Sequence, residues 1–348
     1  MSTINVALLG YGLSGRYLQA PFFKAHSGFR VTRVMTSRTK ELHEVFSNLT
    51  PTATAEEVFS DKTIDLVAIA TPNATHYELA RAALKAGKHV LVDKPACATA
   101  AELRELRDLA EASRLQLFVF QNRRWDSDFL TVRQVLKSGE LGQLVAFEAR
   151  YDRWKPEPNA KAWKETPGPG AGMLYDLGSH LIDQAIACFG IPDQVSGRTW
   201  IQRSFSTIPD AFDLQMRYDG FTADLSCSLL VREPTPRYRL HGTLGAYVKY
   251  GIDVQEDQLK AGMSPLATDF GREPAAQDGI LHTERANEVF RSTIPTIAGR
   301  WLGLFENMYD SITGKAKPAV TLEEVIAQLE IIETVGVTSP DSGFTITD

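Results

Sequence analysis

The sequence predicts an α/β protein in two parts: a parallel sheet flanked by helices, then an α+β domain built on a large, mostly antiparallel open sheet. In the first 120 residues, short apolar runs alternate with stretches of helical spacing, which is typical of a parallel sheet with right-handed crossovers. After about residue 140, apolar and polar residues alternate with a period of two, as in strands buried on one face. The predicted domains are residues 1–122 and 123–348.

Five apolar runs in the first part predict buried strands, and two segments between them have helical spacing. The predicted helices are Ala74–Ala86 and Ala100–Ala112, and the second begins with a capping box formed by Thr99 and Glu102. The predicted strands are Ile4–Leu9, Val31–Met35, Leu66–Ala70, His89–Val92 and Leu115–Phe120.

The second part combines alternating strands with one long helix. Alternation is clear at Phe212–Tyr218 and at Ala223–Leu229, the helix is predicted at Leu174–Phe189, and residues 262–280 are predicted to be a loop. An open sheet packed on one face needs a cover on the other, and a second subunit is the simplest one. We therefore expect a homodimer or homotetramer formed through the C-terminal sheet.

Composition excludes several classes of function. A chain of 348 residues is long enough for two ordinary domains, and its net charge of −6 gives no electrostatic reason to expect a nucleic acid or acidic membrane partner. Three widely spaced cysteines form neither a disulfide framework nor a zinc signature. No signal peptide or apolar run of transmembrane length is present. We expect a cytoplasmic protein that uses no metal and binds neither nucleic acid nor membrane.

A glycine motif follows the first predicted strand. Gly10, Gly12 and Gly15 form G-x-G-x-x-G, in which the first glycine allows a tight turn, the second lets the backbone approach a pyrophosphate, and the third lets helix and strand pack closely. The next helix offers free N–H groups to phosphates, although Pro21 is expected to bend or shorten it. We predict a Rossmann domain that binds a dinucleotide at Gly10–Gly15, including Leu13 and Ser14.

The end of the second strand predicts which dinucleotide binds. NAD sites usually have an acidic residue there, but Met35–Thr39 contains none, and Ser37 and Arg38 can bind a 2′-phosphate. This favours NADP (NADPH). The alternative is that Arg38 only faces solvent at the start of a helix.

Polar residues also follow the third strand. Thr71, Pro72, Asn73 and His76 are predicted to line the nicotinamide ribose. The alternative is an ordinary turn in which Asn73 caps the next helix.

Three side chains predict the chemistry. Lys94, between Asp93 and Pro95 at the end of the fourth strand, is expected to project its ammonium group over the carboxyl edge of the sheet, where open α/β folds bind ligands. Asp176 and His180 are four residues apart on the predicted helix, and a histidine suits proton transfer at neutral pH. Together a base, a carboxylate and a cation can oxidise an alcohol. The alternatives are a structural histidine, a surface Asp–His pair, and a lysine that pairs with a helix end.

Other residues are candidates for substrate binding. Planar donors and aromatic faces bind polyhydroxylated rings, and Gly178 would let a ligand approach the backbone. Salt bridges between domains are the alternative for the arginines, and core burial or a subunit interface for the tryptophans. The candidates are Arg123, Arg124, Trp154 and Trp163.

These motifs resemble the glucose–fructose oxidoreductase/inositol dehydrogenase (Gfo/Idh/MocA) family over nearly the whole chain. Within it, the chain is most similar to NADP-dependent scyllo-inositol dehydrogenases. The resemblance implies a Rossmann domain, an open-sheet domain, a homo-oligomer, and a catalytic triad at Lys94, Asp176 and His180. One departure is Asp93, where the family usually has Glu. The motifs are Gly10–Arg16, Ser37–Thr39, Ala86–Val90, Asp93–Pro95, Asn122–Asp126, Tyr175–Asp183 and Tyr250–Asp253.

The resemblance and the residues together predict an NADP(H)-dependent dehydrogenase of a small polyol or cyclitol. The expected reaction interconverts scyllo-inositol and its 2-keto form, with His180 as acid and base, Lys94 polarising the reacting oxygen, and Asp176 fixing the substrate hydroxyl or the imidazole. Two alternatives stay open: a dehydrogenase or reductase of an aldose or another carbonyl compound, and a non-catalytic, NADP-sensing regulatory protein.

Overall fold

The computed structural model describes residues 3–159 and 165–336, and the chain forms two compact units. The first contains Met1–Asn122, Gln255–Phe270 and Arg300–Ile326, and the second contains Arg123–Val254, Gly271–Gly299 and Ala327–Asp348. The sequence predicts a single boundary at residue 122, whereas the first unit also includes two later segments.

Aromatic packing explains why a late segment belongs to the first unit. The Phe22 ring stacks on the Phe305 ring with centroids 5.1 Å apart, and Phe23 meets Phe305 edge to face at 4.9 Å. Trp301, fully buried, lies 6.2 Å from Phe22. Such aromatic burial gives no local signal in the sequence, because the partners are almost 300 residues apart.

The first unit has a five-stranded parallel sheet, which confirms the predicted parallel sheet, and its strands lie in the order β2-β1-β3-β4-β5. Most side chains of β1, β3 and β4 are buried, which is typical of a parallel sheet covered on both faces. The strands are β1 (Ile4–Leu9), β2 (Phe29–Met35), β3 (Leu66–Ile69), β4 (His89–Val92) and β5 (Leu117–Val119).

The second unit has an eight-stranded sheet with the order β13-β12-β11-β10-β6-β9-β8-β7. All neighbouring strands are antiparallel except β6 and β9, which are parallel, so the predicted, mostly antiparallel sheet is confirmed. The strands are β6 (Leu144–Arg150), β7 (Gln194–Trp200), β8 (Ala211–Tyr218), β9 (Phe221–Ser228), β10 (Tyr238–Gly242), β11 (Gly245–Lys249), β12 (Gly279–Arg285) and β13 (Glu288–Ile294).

Helices complete both units, and the predicted capping box is confirmed. The Thr99 side chain accepts a hydrogen bond from the Glu102 backbone N–H, and the Glu102 carboxylate accepts from the Thr99 N–H. In chain order the described α-helices are α1 (Ala20–Ala25), α2 (Thr39–Val45), α3 (Ala55–Ser60), α4 (His76–Lys85), α5 (Ala100–Ala112), α6 (Ser127–Ser138), α7 (Ser179–Phe189), α8 (Gln255–Lys260), α9 (Leu302–Ile312) and α10 (Leu322–Gly336).

Two helices begin as π-helical segments, which the sequence pattern does not reveal. The π-helical segment Ser14–Gln19 precedes α1, and the segment Leu174–Gly178 precedes α7. The long helix predicted at Leu174–Phe189 therefore changes from π-helical to α-helical hydrogen bonding after Gly178. Pro21 lies in the first turn of α1, where the π segment ends. Because proline has no N–H and clashes with the carbonyl four residues earlier, a change of hydrogen bonding here lets the helix continue.

A membrane-spanning helix would need a long apolar stretch, and none of the helices described here has one. Within residues 3–159 and 165–336, no three His, Cys, Asp or Glu side chains are grouped so that they could hold a metal ion.

Candidate active site

The predicted cofactor residues lie at one edge of the first sheet. Gly10 follows β1, Ser37 lies just beyond β2, Thr71 follows β3, and Asp93 follows β4. These four strands are neighbours and parallel, so their carboxyl ends meet at the edge where open α/β sheets bind ligands. The structure therefore brings the four groups of predicted residues in this unit together.

The three glycines of the motif have different surroundings. Gly10 has a φ of +94°, and a Cβ there would lie 2.6 Å from the Ala70 carbonyl oxygen. A Cβ on Gly15 would overlap the Gly10 carbonyl oxygen. A Cβ on Gly12 would meet no atom within 4 Å. Gly12 thus borders open space, which fits the close approach of a pyrophosphate to the backbone.

The residues after β2 offer an uncommitted cation. Ser37, Arg38 and Lys40 are exposed, and in the part of the chain that the structure describes their side chains form no ion pair or hydrogen bond. The Arg38 backbone N–H donates to the Thr36 hydroxyl at 2.9 Å, which fixes the turn but leaves the guanidinium free. Arg16, by contrast, is paired with Glu44 at 2.7 Å.

His76 is fully buried at the start of α4, next to the predicted nicotinamide end. Its Nδ1 lies 2.8 Å from the Pro95 carbonyl oxygen, and its Nε2 lies 2.9 Å from the Thr71 carbonyl oxygen. The sequence predicts that His76 lines the ribose, but the structure shows both ring nitrogens engaged by the backbone. Asn73 begins a short 3-10 turn, Asn73–Thr75, that leads into α4.

Asp93 and Lys94 are half-buried at the end of β4. The Asp93 carboxylate accepts a hydrogen bond from the Lys94 backbone N–H at 2.8 Å, and the Lys94–Pro95 peptide bond is cis. The Asp93 side chain therefore holds the backbone at the turn that carries Lys94.

In the second unit, Asp176 and His180 lie on either side of the change from π-helix to α-helix. Asp176 is half-buried in Leu174–Gly178, and His180 is 4% exposed in the first turn of α7. A Cβ on Gly178 would lie 2.9 Å from Leu174 Cδ1 and 3.2 Å from Phe212 Cζ, so it would press on two side chains of the same unit. The approach of a ligand to this backbone stays a prediction.

Two arginines hold α7. Arg124 donates two hydrogen bonds to the Asp183 carboxylate, at 2.9 and 2.8 Å, and both side chains are buried. Gln184 donates to the Arg123 carbonyl at 2.9 Å. Arg123 is paired with Asp126 at 3.2 Å. Both of these ion pairs lie within the second unit.

A second buried network contacts the same helix and was missed from the sequence. Arg237 donates to Asp128 at 3.0 Å and to the Gln184 side-chain oxygen at 2.9 Å, and its guanidinium lies 3.9 Å from the Tyr151 ring centroid. The Tyr238 hydroxyl also donates to Gln184, at 2.8 Å. Burial raises the pKa of the Tyr151 phenol, so it stays neutral. No local motif marks these residues, because Arg237 and Asp128 are 109 positions apart.

Trp154 and Trp163 are the two tryptophans that the sequence predicts to bind substrate. Trp154 is 43% exposed, and the Arg232 guanidinium lies 4.1 Å from its ring centroid. Core burial is therefore excluded for Trp154, while substrate binding and a subunit interface stay open. Trp163 lies outside the described residues.

Comparison with known proteins adds the following findings. Residues 4–121 match the model of an oxidoreductase family with an NAD-binding Rossmann fold, and residues 129–248 match the Gfo/Idh/MocA C-terminal domain. The chain is 38% identical to scyllo-inositol 2-dehydrogenase (NADP(+)) IolW of Bacillus subtilis, over 96% of this chain and 93% of that protein. It is 29% identical to levoglucosan dehydrogenase of Pseudarthrobacter phenanthrenivorans, over 58% and 55%. Its fold matches the solved structure of the oxidoreductase YvaA of Bacillus subtilis with a TM-score of 0.93 and 38% identity, over 96% and 95% of the two chains.

Proposed function

Because the chain belongs to the Gfo/Idh/MocA oxidoreductase family, as its motifs predict, we propose that it is an NADP(H)-dependent dehydrogenase of a cyclitol. The coarser statement is established: the chain is an NAD(P)-binding oxidoreductase that acts on CH–OH donors. The proposed reaction interconverts scyllo-inositol and its 2-keto form. The observation that carries the substrate is the 38% identity to IolW over almost the full length of both chains.

The residues at the sheet edge fit a dinucleotide phosphate. Gly12 leaves room beside the backbone, and the amino end of the helical run that begins at Ser14 would face a pyrophosphate bound there. Arg38 and Ser37 would bind the 2′-phosphate. A charge-assisted hydrogen bond contributes about 1.5–3 kcal/mol, so Arg38 alone would favour NADP about tenfold or more.

Each catalytic group has one task. A bound nicotinamide would supply the hydride transfer between the alcohol and the ketone, and the residues of the chain would bind, orient and move protons. Lys94 binds the reacting oxygen and stabilises negative charge on it. His180 takes the hydroxyl proton in oxidation and gives it back in reduction, and Asp176 fixes the substrate hydroxyl or the imidazole.

The ion pair on α7 supports this assignment of His180. Asp183 is three residues after His180 on the same helix, and its two hydrogen bonds with buried Arg124 restrict how the helix can move. We therefore assign Arg124 to holding α7. Arg123 and Trp154 stay candidates for binding the polyol.

Steady-state turnover with a panel of inositols and sugars, followed by NADPH absorbance, tests the proposal. We expect scyllo-inositol with NADP⁺ to give the highest kcat/KM. Levoglucosan dehydrogenase is a relative, so a sugar dehydrogenase is the second candidate, and preference for an anhydro sugar or an aldose would establish it. NADPH binding without turnover of any compound in the panel would instead indicate a regulatory protein and would overturn the proposed function.

A further inference from the structure

We propose that His76 is a positioning residue that ties the end of β3 to the turn carrying Lys94, and that each of its ring nitrogens controls a different property of the enzyme. The Nε2 side would hold the Thr71 segment for cofactor binding. The Nδ1 side would hold the Pro95 segment for turnover. This second half rests on the proposed catalytic role of Lys94.

The bridge lies where two neighbouring strands end. The backbone N–H of Asp93 donates to the Ile69 carbonyl at 3.0 Å, which is a bond between the ends of β4 and β3. Beyond it the two loops leave the sheet, and His76 spans them with contacts of 2.9 Å to Thr71 and 2.8 Å to Pro95. The imidazole thus extends the connection between the strands past the sheet itself.

An imidazole suits this position because its two nitrogens are held on a short, rigid ring. A carbonyl oxygen only accepts, so the ring donates to both carbonyls at once only when both of its nitrogens carry a hydrogen, whereas a ring with one N–H donates to one of them. The ring is fully buried, and a buried carbonyl that loses its donor is left unsatisfied. Direct contact with cofactor is therefore not needed to explain why a histidine stands here.

Two substitutions separate the two nitrogens. The amide of Asn can occupy the place of Nδ1, and the longer Gln can occupy the place of Nε2, so His76→Asn keeps the Pro95 contact and His76→Gln keeps the Thr71 contact. We expect H76N to raise the Kd for NADPH about tenfold while kcat at saturating cofactor changes less than about threefold. We expect H76Q to lower kcat about tenfold while the Kd for NADPH changes less than about threefold.

His89 supplies the matched control. It lies at the other end of β4 and is half-buried. Its Nδ1 accepts a hydrogen bond from the Gln116 backbone N–H at 2.9 Å. His89→Gln and His89→Asn should leave both the Kd for NADPH and kcat unchanged. Thermal unfolding of all variants shows which of them are folded.

Equal changes in kcat and Kd for both His76 variants, or no change in either, would overturn the proposal in favour of a merely structural histidine. NADPH fluorescence titration needs no substrate, so the Kd comparison still decides the Thr71 half if the proposed reaction is wrong. If neither variant folds, 15N-histidine NMR of the wild-type enzyme decides. The proposal requires, among seven histidines, one imidazole whose two N–H signals are both protected from solvent and shift when NADPH is added, and the absence of such a ring rejects the proposal.

Discussion

Two regions of the molecule that contain candidate residues, one in each unit, differ in how their polar side chains are held. At the edge of the first sheet, Arg38 and Ser37 are exposed and uncommitted, and they come directly after a strand. In the second unit, His180 is buried on a helix whose Asp183 and Gln184 are bound by arginines from other parts of the chain. The first region is defined by local sequence, whereas the second depends on tertiary partners.

This difference determines what a substitution should damage. A cation that no other side chain binds can be removed without cost to the fold, so its loss should affect only the ligand. A cation that is paired in the protein interior becomes an uncompensated buried charge when its partner is removed. Stability measurements and cofactor measurements should therefore separate the two regions.

The largest effect is expected from breaking the buried pair. Asp183→Ala leaves the Arg124 guanidinium buried without its carboxylate, which should lower the free energy of unfolding by about 3–5 kcal/mol. Urea unfolding measures this loss. Asp213→Ala is the matched control, because Asp213 pairs with Arg198 at 3.1 Å on the surface, with side chains 49% and 62% exposed. Asp213→Ala should lower the free energy of unfolding by less than about 1 kcal/mol. Equal losses in the two variants would show that burial of the Arg124–Asp183 pair does not matter for stability.

The next largest effect is expected in the first unit, from the removal of the Lys94 ammonium group. Lys94→Met should lower kcat/KM about a hundredfold or more, because the reacting oxygen loses its cation. The variant should bind NADPH with an affinity close to that of the wild type. Lys85→Met, at an exposed position on α4, should have normal activity. Proportional loss of turnover and NADPH binding in K94M would contradict a role at the reacting oxygen.

The parts that could be predicted from the sequence are those with a local physical cause. The parallel strands, the capping box at Thr99 and the glycine turn each follow from periodicity or from a backbone requirement within a few residues. The family resemblance was confirmed as well. The buried Arg237 network could not be predicted, because its members meet only after strands far apart in the sequence have paired.

The surroundings of two glycines and the β12–β13 hairpin could not be predicted from local sequence either. The sequence does not distinguish Gly12, which borders open space, from Gly178, which packs against Phe212. The sequence predicts a loop at residues 262–280, but β12 begins at Gly279. The hairpin turns at Ala286 and Asn287, both with positive φ. Nothing in the local polarity of β13 indicates a strand, because almost all of its side chains are exposed.

Those two glycines provide the third comparison. Gly178→Ala should lower the free energy of unfolding by about 1–3 kcal/mol, because the added methyl group overlaps Leu174 and presses on Phe212. Gly12→Ala should leave stability almost unchanged and weaken NADPH binding, because its methyl group enters the space left for the cofactor. Urea unfolding and NADPH fluorescence titration on both variants check this. Normal NADPH binding by G12A would show that the open space beside Gly12 is not the pyrophosphate site.

The smallest expected effect concerns the choice between the two dinucleotides. Arg38→Ala should lower kcat/KM for NADP⁺ about tenfold and leave kcat/KM for NAD⁺ unchanged, because NAD⁺ has no 2′-phosphate for the guanidinium to bind. Stability should not change, since no ion pair of Arg38 is present in the described part of the chain. Arg30→Ala, at an exposed position near the amino end of the same strand, controls for the loss of one positive charge. An R38A variant that keeps its full preference for NADP⁺ would refute the assignment of Arg38, and with it the idea that a free cation after β2 sets cofactor choice.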